Sequence, residues 1–203
     1  MKYKSETFKK FKEFKAEVEK QLGKSIKTLR SDRGGEYLSQ EFQFYLRDNG
    51  MLSQWTPPYT PQHNGVSERR NRTLLDMVWS MMSNSELPKS FWGYALETAV
   101  YLLNRVPNKL VDKTPYEMWC NKKPVLAHIK IWGCLAYVKR IELDKLGTKS
   151  KICLFVGYPK ETRGNYFYNP SEQKVFVSKH ATFLEKEFLQ KESSGSKIEL
   201  DEV

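Results

Sequence analysis

Two carboxylates stand where the chain turns. Asp32 ends a short alternating stretch just ahead of Gly34-Gly35, and Glu68 falls in the predicted first turn of a helix. Thirty-five residues separate them. A strand-end carboxylate and a helix-start carboxylate can face one another across such a loop and helix, and together hold a divalent ion. Mg²⁺ and Mn²⁺ prefer such hard oxygen ligands, and two ions about 4 Å apart can clamp the attacking and leaving oxygens of a phosphoryl transfer. The same residues have plainer uses. Asp before a glycine pair shapes a turn, and Glu in a first turn complements the helix dipole. Spacing alone leaves both readings open.

Cationic and loop residues surround the pair. Arg69, Arg70 and Arg72 stand beside Glu68 and could either meet phosphate or form a solvated face. The stretch from Thr56 to Gly65 carries three prolines and an Asn-Gly, which forbid regular structure and predict a shaped loop. Within it, Tyr59, Gln62 and Asn64 could reach phosphate or bases, or could serve only to shape the loop. A second basic group, Lys139, Arg140, Lys145, Lys149 and Lys151 with Tyr137 and Phe155 nearby, reads equally well as a nucleic-acid patch or a solvated sheet edge.

The charge balance leaves two readings open, a polyanionic partner and a solvated basic surface. Of 203 residues, 34 are Lys or Arg and 24 Asp or Glu, a net charge of +10. The last nineteen residues hold six acids and three bases, so the body before them stands at +13. A basic body with an acidic tail fits nucleic acid first. No run of 18 apolar residues predicts a membrane span, and the Lys/Glu-rich first 30 residues lack a secretory signal. Cys120, Cys134 and Cys153 are few, odd in number and far apart, which predicts reduced, buried thiols and not a disulfide framework or zinc knuckle.

Several elements must position these groups. Phe8, Phe11, Phe14, Val18 and Leu22 recur at helical spacing over Ser5 to Leu22, with Gly23 as a stop. Ile26 to Leu29 and Met51 to Trp55 read as short strands on either side of a helix from Glu41 to Asn49. A helix from about Ser67 to Ser83 should turn Leu74, Leu75, Val78, Met81 and Met82 inward. A second, from Pro88 to about Arg105, should bury Trp92, Ala95, Leu96, Ala99, Leu102 and Leu103. From Cys120 the period changes to two, predicting strands at Ile129 to Trp132, Cys134 to Arg140, Lys151 to Val156, Gly164 to Tyr168 and Lys174 to Val177. The last two are joined at Asn169-Pro170-Ser171. Five short strands predict a small barrel, and the polar tail after Phe188 is expected to be disordered.

The motifs then carry a resemblance. Arg30-Ser-Asp-Arg-Gly-Gly-Glu-Tyr37, Tyr59-Thr-Pro-Gln-His-Asn-Gly-Val-Ser-Glu-Arg-Arg-Asn-Arg-Thr-Leu74, Trp92-Gly-Tyr-Ala-Leu-Glu-Thr-Ala-Val-Tyr-Leu-Leu-Asn-Arg105, Lys113-Thr-Pro-Tyr-Glu-Met-Trp119 and Trp132-Gly-Cys-Leu-Ala-Tyr137 resemble, in order, the integrase of copia-type retrotransposons. Roughly residues 5 to 185 are covered. The resemblance implies an α/β fold, a truncated RNase H-like core over residues 1–119, followed by a small all-β SH3-like barrel over 120–188 and an acidic tail over 189–203. It implies DNA integration by metal-dependent polynucleotidyl transfer. Asp32 matches the second and Glu68 the third of three catalytic acids, with Mg²⁺ or Mn²⁺ as cofactor. Element ends and target DNA are the implied partners, homo-oligomers the implied assembly, and the nucleus the implied location. Lys9-Lys10 and Lys122-Lys123 are too short to read as an import signal.

One part of the family pattern has no match. The first acid should lie dozens of residues before Asp32 on a central strand, but only 31 residues precede Asp32, and Glu6, Glu13, Glu17 and Glu19 fall on the predicted helix. The chain is therefore expected to be a truncated segment that retains nucleic-acid binding without strand transfer, with residues 1 to 66 its least stable part. A domesticated host binding protein and a non-functional remnant are the alternatives.

Overall fold

The computed structural model describes residues 4–57, 65–107, 111–139 and 150–188. The chain packs as two compact units, residues 1–71 and 72–203.

In the first unit, α1 (Thr7–Leu22) ends at Gly23 as its sequence requires. Two parallel strands follow, β1 (Thr28–Ser31) and β2 (Leu52–Trp55), in register from Thr28 opposite Leu52 to Ser31 opposite Trp55. They are connected through α2 (Gly35–Leu38) and α3 (Gln40–Asp48), a β-α-β arrangement in which the helical crossover lets parallel strands pair. The core is aromatic. Phe42 and Leu46 of α3 are fully buried with Met51, and Phe8, Phe11, Leu29, Tyr37 and Tyr45 close around them. The Phe42 ring lies 5.1 Å from that of Phe8 and 5.2 Å from that of Phe11. No residue of α1 is fully buried, so this helix covers the core from outside. Glu19 fixes the exit of α1, its Oε1 accepting the Ile26 N–H at 2.8 Å.

The second unit begins within α4 (Gly65–Ser83) and continues through α5 (Trp92–Arg105) and α6 (Pro115–Cys120). Thr114 starts α6 with a capping box, its hydroxyl accepting the Glu117 N–H while the Glu117 carboxylate accepts the Thr114 N–H. Five antiparallel strands follow: β3 (Leu135–Lys139), β4 (Ser150–Gly157), β5 (Asn165–Asn169), β6 (Lys174–Ser178) and β7 (Ala181–Phe183). They stand in the order β6-β5-β4-β3-β7. One sheet face carries Ala136, Val138, Cys153, Phe155 and Phe167 into a buried cluster that includes Cys134 and Tyr158. Leu154, Tyr166, Tyr168 and Val175 pack in a second cluster with Ala95 and Ala99 of α5 and Val78 of α4.

Two glycines set how closely helix and sheet approach. Gly157 has φ 146° and would press a Cβ to 2.8 Å from the buried Thr98 hydroxyl of α5; Gly133 has φ 80° and would meet the Ser85 Cβ at 2.6 Å. Both positions exclude a side chain for conformational and steric reasons.

Several expectations need correction. Ile129 to Trp132 is not a strand: the Ile129 N–H turns back to the Leu126 carbonyl at 2.9 Å, the Lys130 N–H goes to the Tyr158 hydroxyl at 2.8 Å and the Ile131 N–H to Glu185 Oε1 at 3.0 Å. The Trp132 indole N–H is donated to the Val156 carbonyl at 2.9 Å. Strand β7 and helices α2 and α6 appear where none was expected. Leu75 and Trp92 face solvent, at 56% and 59% exposure, because nothing in the described structure covers those helix faces. Cys134 and Cys153 are buried as expected, but Cys120 is exposed at the end of α6. The loop residues Tyr59, Gln62 and Asn64 and the tail 189–203 lie outside the described residues.

Candidate functional site

The β1 strand delivers Asp32 to an exposed turn immediately after the buried Ser31. Asp32 Oδ1 accepts the Gly34 N–H at 3.1 Å, which fixes the carboxylate over its own turn. Tyr37 N–H bonds to the Gly34 carbonyl at 3.0 Å and opens α2. The Tyr37 hydroxyl is held above its ordinary pKa, first by burial and then by the negative charge of Asp32 and Glu36. Arg30, two residues before Asp32, reaches across the strand pair to Gln54 Oε1 at 3.4 Å. The turn is thus an acidic feature on a paired strand, not a free loop.

Glu68, Arg69, Arg70 and Arg72 lie in the first two turns of α4, all exposed. Helical geometry places Glu68 and Arg72 on one face, four residues apart. A first-turn carboxylate is also where the helix dipole favours negative charge, so Glu68 suits that position whatever else it does. Asp32 and Glu68 both fall in the first unit, while the loop residues expected to work with them lie outside the described structure. Among the described residues no three His, Cys, Asp or Glu side chains gather as a metal site.

The second basic group divides. Tyr137 and Lys139 are exposed on β3. Lys151 is engaged by Glu172 at 3.2 Å and lies 4.4 Å from the Phe176 ring centre. Phe155, expected beside this patch, is instead a fully buried core residue, because β4 is covered on both faces. Arg140, Lys145 and Lys149 lie outside the described residues. Sequence reasoning missed a further cluster, Tyr101, Arg105, Tyr116, His128 and Tyr158, whose members stand in or near the quoted motifs but far apart in sequence.

The fold and the sequence together define a class: an α/β segment leading into a retroviral-type SH3-like domain. Residues 134–197 match the family described as the retroviral polymerase SH3-like domain, which takes in β3 to β7. Across 190 residues, 92% of this chain, the sequence is 44% identical to the retrovirus-related Pol polyprotein from transposon TNT 1-94 of Nicotiana tabacum. Across 191 residues, 93% of the chain, it is 34% identical to the Pol polyprotein from transposon RE2 of Arabidopsis thaliana. The chain is thus similar to one segment of the retrovirus-related Pol polyproteins of plant transposons, and it spans 14% and 13% of the lengths of these two relatives. Among solved structures it is similar to the catalytic core domain of BIV integrase, at 27% identity and a TM-score of 0.37 over 47% of this chain and 60% of that one.

Proposed function

We propose that this chain is a DNA-binding segment of a retrotransposon integrase, the part of a metal-dependent polynucleotidyl transferase that carries two of its carboxylates. The carrying observation is the 44% identity to a transposon Pol polyprotein over nearly the whole chain. The charge supports it: a net +10, with three exposed arginines on one helix.

Each residue has a defined task in this reading. Arg69, Arg70 and Arg72 neutralise phosphates, which positions DNA without reading its sequence. Tyr59, Gln62 and Asn64 extend that contact from the loop before α4. Asp32 and Glu68 would hold Mg²⁺ or Mn²⁺. Their chemistry fits a hard divalent cation, and the Gly34 N–H orients the Asp32 carboxylate, but two carboxylates amount to a share of a site. When bound, the ion supplies charge neutralisation at a phosphodiester and activation of the attacking oxygen. The five strands make up the SH3-like domain, and the assembled form is a homo-oligomer working on chromosomal DNA in the nucleus.

The test is metal-stimulated binding of a labelled duplex. Mn²⁺ should raise the affinity of the wild-type chain, and Asp32→Asn with Glu68→Gln should abolish the increment without weakening metal-free binding. An increment that survives both substitutions would overturn the metal assignment. Absence of DNA binding in any condition would overturn the function.

A further inference from the structure

Helix α4 buries one side and leaves the other bare. Leu74, Met77, Val78, Met81 and Met82 pack into the cluster that joins α5 to the sheet, so the helix is anchored without help from its outer face. That outer face nevertheless carries Leu75 at 56% exposure and Trp79 at 72%. Among the described residues the Trp79 indole meets no other ring and donates no hydrogen bond. An apolar pair of this size, left in water beside charged residues, marks a surface with a partner.

The position of the pair says which partner. Arg72, Leu75 and Trp79 follow one another at intervals of three and four, so they stand in one stripe along α4. From Arg72 to Trp79 the helix rises about 10 Å. Arg72 belongs to the basic group already assigned to phosphate contacts, and the exposed Asp76 flanks the stripe four residues beyond it. The Asp76 carboxylate repels phosphates from the far end of the stripe. A strand that meets Arg72 through a phosphate therefore meets Leu75 and Trp79 through an uncharged part. A blunt duplex has none to offer, since its base faces are stacked on one another and its outside is phosphate and sugar. An unpaired nucleotide presents a free π face, and every base has one.

We propose that Leu75 and Trp79 receive an unpaired base at the end of the bound DNA, the indole stacking on that base while Arg72 holds the neighbouring phosphate. The inference rests on the placement of DNA along α4 proposed above and adds the class of DNA: a duplex whose end is frayed or single-stranded. Stacking on an aromatic ring tolerates any base, so the preference is for the unpaired state and not for a sequence. The contact is made with a base and not with a phosphate. It releases no counterions, and its contribution does not fade as salt rises.

The experiment compares two labelled probes on the whole chain by fluorescence anisotropy, a blunt duplex and the same duplex with a short unpaired extension, each across a range of salt. The wild-type chain should hold the extended probe about fivefold or more tighter at every salt concentration, the lower end of what one base stacked on an aromatic side chain contributes. Trp79→Ala should bring the ratio of the two affinities close to one, and Trp79→Phe, which keeps a π face, should restore most of it. Trp79 is exposed, so neither change disturbs the core. A ratio near one in the wild type, a ratio unchanged in Trp79→Ala, or a preference that disappears as salt rises would each overturn the stacking while leaving duplex binding on α4 in place. Equal affinities for the two probes, with a dimer that sedimentation finds in the wild type and not in Trp79→Ala, would overturn it in favour of a second copy of the chain on this face. No binding of either probe at low salt would overturn the DNA reading itself, and this inference with it.

Discussion

Phe42→Ala should unfold the first unit and spare the second. Phe42 is fully buried at the centre of a small aromatic cluster, with the rings of Phe8, Phe11 and Tyr37 at 5.1, 5.2 and 5.7 Å. Truncating a buried Phe costs about 3–5 kcal/mol, and the lost ring pairs lie within that figure. The unit has little to spare. Its sheet has only two strands among the described residues, and an isolated strand pair is marginal in water. At about 0.05–0.15 kcal/mol per residue, a unit of 71 residues holds roughly 4–11 kcal/mol. The substitution therefore removes between about a quarter and all of it. Hydrogen exchange read by mass spectrometry should show Thr28–Ser31 and Leu52–Trp55 less protected than β3–β5 in the wild type, and close to unprotected in the variant. Protection at β4 and β5 should not change. Equal loss of protection in both units, or full retention in the first, would refute the reasoning.

Three further outcomes follow from the second unit. A thiol reagent should modify one cysteine in the native chain and three in denaturant, because Cys120 is exposed while burial pushes the Cys134 thiol up to about 12 and raises that of Cys153. Gly133→Ala should destabilise by more than 1 kcal/mol in a denaturant titration, since its Cβ would stand 2.6 Å from the Ser85 Cβ in a left-handed backbone; the figure is about what an incompatible Gly→Ala change exceeds. Trp132→Phe should cost about 1–3 kcal/mol by leaving the Val156 carbonyl without its indole partner in a buried position.

The elements legible in the sequence were those that announce themselves by period and punctuation. The α1 helix reads from Phe8 and Phe11 with the stop at Gly23, and α5 reads from its apolar run between Pro88 and Pro107. Periodicity names the apolar face of a helix but not what covers it, which is why Leu75 and Trp92 were expected inside. The Ile129 to Trp132 stretch alternates as a strand does, yet its amides are taken by Tyr158 and Glu185, partners 28 and 54 residues away that no local pattern reveals. β7 is only three residues long and exists through its pairing with β3. The misplacement of Phe155 has a similar origin: alternation fails as a guide in a strand covered on both faces. At the site, the residue types placed Asp32 at a strand end and Glu68 in a first helical turn with its arginines following it, as found. The cluster around Tyr101 and His128 escaped because a His and three Tyr spread over 58 positions carry no local signature.

Duplex binding in the absence of metal, followed by fluorescence anisotropy across a range of salt, tests the central claim most directly. Each phosphate contact contributes about −0.9 to the slope of log K against log salt. The wild-type chain should bind with a steep slope, and Arg69→Gln, Arg70→Gln and Arg72→Gln together should make it shallower by about 2.7. An unchanged slope in the triple variant would contradict the placement of DNA on α4, and no binding at low salt would contradict the account as a whole.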